Sequence, residues 1–386
     1  MHYTLIGAGS IGRALLSDVI NEDPQAKFSV FDIDVHALDL AKRLNPNRIQ
    51  TGTVDEPTSR HFAQLIKGSD LVINCTAGAQ CVEILQAAIA TGVRYLDVHG
   101  TLLLKERLAL HAEAKSAGIT AMIGVGVSPG MTNMLGAYIA RQTDEPVDID
   151  CEYATMRPLN PTPGLLETAL RQMRNGVMST VYENGQTTYH PPFSGTWQTR
   201  FHGLDEHFEL VYTPHSEPVT IPIFVSNARR VTVRGTYDPR IQTLLKSLYE
   251  FGLLDPGLKV SVDGKAVDFQ PLLRDALMGD GTLKPADLEA RYVMRVRVTT
   301  PAGERSLTLG HPPGWDPLPQ GRMTALPAAY LSQILARGDI DYQGVCSPEV
   351  MSDSQVEACL AYLKKRGLTV HESHRQAEQT DMAPSN

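Results

Sequence analysis

Cysteine is scarce and badly spaced for pairing: Cys75, Cys81, Cys151, Cys346 and Cys359 are an odd number in 386 residues, with no C-x-x-C among them. That argues against a disulfide framework or a structural zinc site and leaves small buried thiols. Long apolar runs are missing too. No stretch reaches the roughly 18 residues that cross a bilayer. The start "MHYTLIGAGSIG" carries no charged leader ahead of an apolar region, so a cytoplasmic location away from membranes is expected. Positive charge is in deficit, 35 Lys and Arg against 43 Asp and Glu for a formal net charge of −8, which offers no basic face to nucleic acid. No H-E-x-x-H or other compact ligand spacing occurs, and "HESH" at His371–His374 lies near a polar end, so no metal is expected.

What is present has two textures. Over the first 125 residues short apolar runs ("YTLI", "FSVF", "LVINC", "RYLDV", "ITAMIG") alternate with helical patterns such as "SIGRALLSDVI" and "AQCVEILQAAIATG". This alternation predicts an α/β fold: a Rossmann doubly wound parallel sheet with helices on both faces. From about residue 148 longer strand candidates cluster ("DIDCEYATM", "PVTIPIFV", "RRVTVRG", "RYVMRVRVTT"), with "TPGLLETALRQMRNG" and "PRIQTLLKSLYEFGLL" as helices between them. They predict a second, α+β domain with a mixed or antiparallel sheet. "YENGQTTYHPPFSGTW" and "GHPPGWDPLPQG" read as loops.

"LIGAGSIG" sets Gly7, Gly9 and Gly12 in a G-x-G-x-x-G spacing directly after a strand and opening a helix. The first glycine makes the tight turn, the second lets backbone approach a pyrophosphate, and the third packs helix on strand. Ser10 and Ile11 then open the helix whose N-terminus faces the phosphates. Asp32 follows 20 residues after Gly12, with Ile33 beside it, where a carboxylate accepts from ribose hydroxyls and repels a 2′-phosphate. NAD is therefore favoured over NADP.

Gly126, Val127, Ser128, Pro129 and Gly130 spell G-x-S-x-G, the spacing of a hydrolase's nucleophile elbow. The residue after such a serine must donate its N–H to the oxyanion, and Pro129 has none. The better reading is a crossing point between domains. There Thr132 or Asn133 caps a helix N-terminus that faces cofactor or substrate.

The fingerprint, "SPGMTNML", "VRGTYDPRIQTLLKSLYEFGLLD", "LPAAYLSQILARGDI" and "GVCSPE" together resemble the saccharopine dehydrogenase family, particularly bacterial members near lysine 6-dehydrogenase. The resemblance implies an NAD(P)-dependent oxidoreductase acting at the carbon–nitrogen bond of an amino acid, and a homodimer. It implies a Rossmann domain over 1–125, a substrate-binding and dimerisation domain over 126–322, and a segment over 323–370 that returns to the first domain before a polar tail, 371–386. It also suggests that Val54 touches the adenine. The chain departs from the family where R-Y-P-G-H would stand, at Arg234–Asp238, and at "MRPLNPTPG".

Hydride transfer needs an acid/base group and an anchor for the carboxylate. Asp97 and His99 end a strand on one face, two residues apart, and are the acid/base candidates. Thr76 and Gly78 follow "LVINC", where a loop skirts the cofactor. Arg157, Arg230 and Arg234 are the candidate carboxylate forks. Two other functions fit the same fold: an enoyl reductase acting on C=C, and a dinucleotide-binding redox sensor without catalysis.

Overall fold

The computed structural model describes residues 1–76, 78, 80–159, 162–279 and 289–376. Its amino-terminal third is a β/α alternation. The strands are β1 (His2–Ile6), β2 (Lys27–Asp32), β3 (Ile49–Thr53), β4 (Leu71–Asn74), β5 (Arg94–Asp97) and β6 (Thr120–Met122). The helices between them are α1 (Ser10–Glu22), α2 (Val35–Leu44), α3 (Ser59–Ile66), α4 (Cys81–Thr91), α5 (Leu104–Ala109) and α6 (His111–Ser116). All pairings in this sheet are parallel, in the order β3-β2-β1-β4-β5-β6. Because the order reverses between β1 and β4, a crevice opens above their carboxyl ends, beside the Gly7–Gly12 turn.

The chain then turns through Val127–Met131 into α7 (Thr132–Ala140) and a second sheet. That sheet comprises β7 (Val147–Met156), β8 (Ser179–Glu183), β9 (Gln186–His190), β10 (Trp197–Thr199), β11 (Phe208–Tyr212) and β12 (Ala228–Tyr237). Helices α8 (Pro163–Gln172), α9 (Glu217–Phe224) and α10 (Pro239–Glu250) are interspersed, and a separate hairpin, β13 (Lys259–Val262) with β14 (Lys265–Asp268), leads to α11 (Phe269–Met278). The sheet continues with β15 (Arg291–Thr300) and β16 (Gly303–Gly310) and ends in a strand from the carboxyl-terminal segment. It is mixed, β7 pairing parallel with β12 and antiparallel with β15.

Alternation sorts its two faces. Ile149, Cys151, Val231, Val233, Met294 and Val296 belong to one apolar core with α7, α9 and the first sheet. Asp148, Asp150 and Glu152 fall on the opposite face, paired with Arg229, Arg230, Arg234, Arg295 and Arg297.

The chain closes with α12 (Pro319–Arg337), β17 (Gly344–Cys346), α13 (Asp353–Lys365) and β18 (Thr369–Gln376). α12 packs on α1, and β17 adds a parallel strand beside β6. Buried Asp18 of α1 ties the returning segment down, accepting from Arg322 and from Arg366, the latter at 3.4 Å.

Three sequence expectations need correction. "PVTIPIFV" is not a strand: its residues lie largely in α9, where Pro218 sits in the first turn and Ile221 is fully buried. A run apolar on every side has no period to tell helix from strand. "YENGQTTYHPPFSGTW" is not a loop throughout. Asn184 and Gly185 both adopt positive φ, 50° and 79°, and join β8 to β9 as a tight hairpin. Residues 371–376, "HESH" included, are not tail but the end of β18, paired register by register with β16. Residues 377–386 of the expected tail lie outside the described residues.

Candidate active site

At the fingerprint each glycine has its own geometric reason. Gly7 has φ +101°, and a Cβ there would lie 2.5 Å from the Cys75 carbonyl; a Cβ on Gly12 would lie 2.2 Å from the Gly7 carbonyl oxygen. Both are packing requirements. A Cβ on Gly9 would meet nothing within 4 Å, so its emptiness serves something other than the fold. α1 starts there with no side-chain cap and no acid in its first turn, leaving Ser10, Ile11 and Gly12 to present free amides. Asp32 accepts from the Ala8 amide at 2.5 Å and the Asp34 amide at 3.0 Å, and so fixes the turn beside it. Ile33 is 82% exposed at the crevice edge, and Val54 donates its amide to the Asp32 carbonyl. These features fit a dinucleotide: amides for the pyrophosphate, carboxylates for a ribose, an exposed apolar side chain for the adenine.

Next to them, the carboxyl ends of β4 and β5 rest on a buried polar chain. Thr76 donates its amide and hydroxyl to Asn74 Oδ1 (3.1 and 2.8 Å), and Gly78 donates back to the Thr76 hydroxyl. Asn74 donates to Tyr95, and Tyr95 to Asp97 Oδ2 at 2.8 Å. Asp97 also accepts from Arg107 Nη1 (2.9 and 2.8 Å), the Gly124 amide (2.9 Å) and the His99 amide (3.1 Å). Both partners of this ion pair are fully buried. Burial alone would raise the Asp97 pKa, but Arg107 together with these donors holds it below the usual carboxylate value. A carboxylate so saturated is a structural anion, which removes Asp97 as an acid/base candidate.

His99 differs. Its side chain borders Gly78 and Gly100 borders Pro129, which puts it between the two domains. Its Nε2 is sealed from solvent and has no partner among the described residues. Burial, outweighing Asp97 and reinforced by Arg107 and Arg171, lowers its pKa to about 4. The imidazole is therefore neutral at physiological pH, with an acceptor to spare.

A second polar group, which the sequence left scattered, gathers around Ser128. Ser128 Oγ lies 3.0 Å from His215 Nδ1 and donates to Glu217 Oε1 at 2.8 Å. Gln172 Nε2 lies 2.9 Å from His215 Nε2, so the contacts run from Gln172 through His215 and Ser128 to Glu217. This is not a hydrolytic triad, because the glutamate bonds the serine directly instead of orienting the histidine from behind. Thr132 donates to Glu217 as well, at 2.6 Å. Asn133 donates to Thr220 and Glu349 and accepts from the Gly130 amide. Thr132 and Asn133 are thus spent on buried glutamates and offer nothing directly to a ligand, contrary to expectation.

The three arginines picked from sequence are also committed. Arg157, only 2% exposed, gives its donors to Gln320 (2.5 Å), Pro158, Leu159 and Leu165. Arg230 and Arg234 lie on the charged face of the second sheet, bound to Asp148 and Asp150, while the crevice meets the other face. Arg171, at the end of α8, is the one the sequence reading missed. It is half-buried and close enough to lower the His99 pKa. Burial lowers its own pKa, and nearby Glu167 is taken by Arg174 at 3.0 Å. Among the described residues no carboxylate pairs with it.

Residues 4–122 match the family model described as "Saccharopine dehydrogenase NADP binding domain". The whole fold is similar to saccharopine dehydrogenase (L-Glu forming) from Saccharomyces cerevisiae, with a TM-score of 0.70 at 14% identity over 97% of this chain and 99% of that one. It is also similar to the homospermidine synthase of Legionella pneumophila solved in complex with NAD, with a TM-score of 0.66 at 11% identity over 100% of this chain and 94% of that one. Among the described residues no helix is long and apolar enough to cross a membrane.

Proposed function

We propose that the protein is an NAD-dependent oxidoreductase acting on the carbon–nitrogen bond of an amino acid, a reading supported by the match of residues 4–122 to a saccharopine dehydrogenase NADP binding domain. The observation that carries this reading is a neutral His99, its Nε2 buried and without a partner among the described residues, with Arg171, which no described carboxylate pairs with, close enough to act on it electrostatically. Bound in that crevice, the nicotinamide supplies the hydride acceptor.

The chain's own residues do the rest. Arg171 takes the substrate carboxylate as a fork, setting the distance from that end to the reacting carbon. His99 accepts the N–H of the reacting nitrogen and receives the proton it gives up, holding it only briefly because burial disfavours the imidazolium. The Asp97–Arg107 pair beneath anchors the His99 amide and carbonyl, fixing where the imidazole points. Asp32, with Asp34 next to it, favours NAD over NADP.

Family likeness supports amine oxidation of the lysine 6-dehydrogenase kind or imine reduction of the saccharopine kind. Purified protein supplied with NAD or NADP and a panel of free amino acids led by lysine and saccharopine tests this by absorbance of the reduced nicotinamide. NADH is expected with one of them, and Arg171→Met should raise KM for that amino acid at least tenfold with little change in NAD affinity. Tight dinucleotide binding without turnover in either direction would overturn the reading in favour of the sensor. Turnover of an acyl substrate alone would favour the enoyl reductase.

A further inference from the structure

Three carboxyl groups are buried around the crevice, and their hydrogen bonds tell them apart. Asp97 is saturated on both oxygens. Glu349 is partnered on both as well, by Asn133 at 2.7 Å and Ser347 at 2.5 Å, and burial raises its pKa, so it behaves as a structural acid. Glu217 is neither. It is wholly buried at the start of α9, its Oε1 accepting from Ser128 and Thr132, while Oε2 is sealed and has no partner among the described residues.

No lysine or arginine pairs with it among the described residues, the nearest basic group being His215 Nδ1 at 3.7 Å. The other titratable groups that act on it or its partner are the Cys151 thiol and the Tyr153 and Tyr292 phenols, with Tyr153 stacked on His215 at 5.4 Å. None is a cation. Burial alone would raise the Glu217 pKa, yet His215, Thr132 and Ser128 keep it below the usual value. A dry carboxylate held ionised with one oxygen idle is costly unless a donor arrives, and the best donor for it is a cationic N–H.

We propose that Glu217 receives the nitrogen cation of the substrate: the ammonium on binding, and the iminium after hydride loss. This rests on the carbon–nitrogen reading above and deepens it. When the C–H bond beside the nitrogen breaks, its electron pair leaves as hydride to the bound dinucleotide, which is reduced. The carbon is oxidised, and the nitrogen lone pair, freed beforehand when the bound ammonium gives one proton to His99, closes the C=N bond. Positive charge is thereby fixed on nitrogen beside a fully buried carboxylate, where a preset anion stabilises it most. Ser128 and Thr132 are positioning residues, since their bonds hold Oε1 and leave Oε2 idle, and His215 acts through Ser128.

Calorimetric titration of the NADH-saturated protein tests this without turnover, using L-lysine, L-norleucine (lysine without its side-chain nitrogen) and 6-aminohexanoate (lysine without its α-nitrogen). Glu217→Gln should weaken lysine binding about 30-fold or more while NADH affinity stays within twofold. One of the two analogues should be spared, identifying the nitrogen that Glu217 receives. Should Glu217→Gln fail to fold, Glu217→Asp, which keeps the charge but shortens its reach, should give a loss of several-fold on the same ligand. Lysine binding unchanged in a folded variant overturns the assignment of Glu217 alone. Wild-type protein that binds NADH but no amino acid of the panel overturns the carbon–nitrogen reading and the assignment with it.

Discussion

Replacing Arg107 with methionine isolates the support beneath the site. The substitution removes the cation from a pair whose members are both fully buried, together with its bonds to the His99 and Gly100 carbonyls. Asp97 is left an uncompensated buried charge, and breaking such a pair costs about 3–5 kcal/mol. At roughly 2–4 °C per kcal/mol for a domain of this size, the melting midpoint of the amino-terminal domain should fall by about 6–20 °C.

The pH dependence should invert as well. In the native protein the Asp97 pKa is depressed, so its contribution is present above the unfolded value near 4 and is lost as pH falls toward the lower folded value. In Arg107→Met burial is opposed only by the neutral donors from Tyr95, His99 and Gly124, and it raises that pKa above the unfolded value. Stability should then decline as pH rises from about 4 toward the raised pKa. Urea midpoints measured between pH 4 and 8 decide it. A variant within about 1 kcal/mol of wild type, or one whose midpoint follows pH in parallel with wild type, would refute the argument.

Two further outcomes are expected. Gly9→Val should bind NADH at least tenfold more weakly at an unchanged melting temperature, because its side chain enters space the protein leaves empty, whereas Gly12→Ala should lose stability through its clash with the Gly7 carbonyl. Equal destabilisation by both would remove the case for a pyrophosphate site. His99→Asn should lower kcat by about 10²–10⁴, and the wild-type pH–rate profile should show no His99 inflection between pH 5.5 and 8, since burial puts that pKa at about 4. An inflection near 6.5 that vanishes in the variant would contradict the environment described for His99.

Much of the amino-terminal domain was legible in sequence because its signals are local. Three glycines and an aspartate at fixed spacing determine one turn, and alternating apolar runs can bury themselves only as a covered parallel sheet. The second domain was partly legible: Asn184–Gly185 is a hairpin signal lost among the prolines that follow it, and α9 is too apolar to show a period. The site itself depends on convergence. Ser128 meets His215 and Glu217 across 87 and 89 residues of chain, distances at which no spacing rule operates. Arginines posed the opposite problem, since nothing in the residue type distinguishes Arg171 from Arg157, Arg230 or Arg234. Only the count of partners in the folded chain does so.

The most direct test of the carbon–nitrogen reading follows the hydride. Perdeuterated L-lysine, or whichever amino acid of the panel gives NADH, is incubated with the protein and NAD, and the reduced cofactor is weighed by mass spectrometry. One deuterium per NADH formed is predicted, carried from the carbon beside the nitrogen. NADH formed without deuterium, or no NADH from any amine despite a bound dinucleotide, would contradict hydride transfer at a carbon–nitrogen bond.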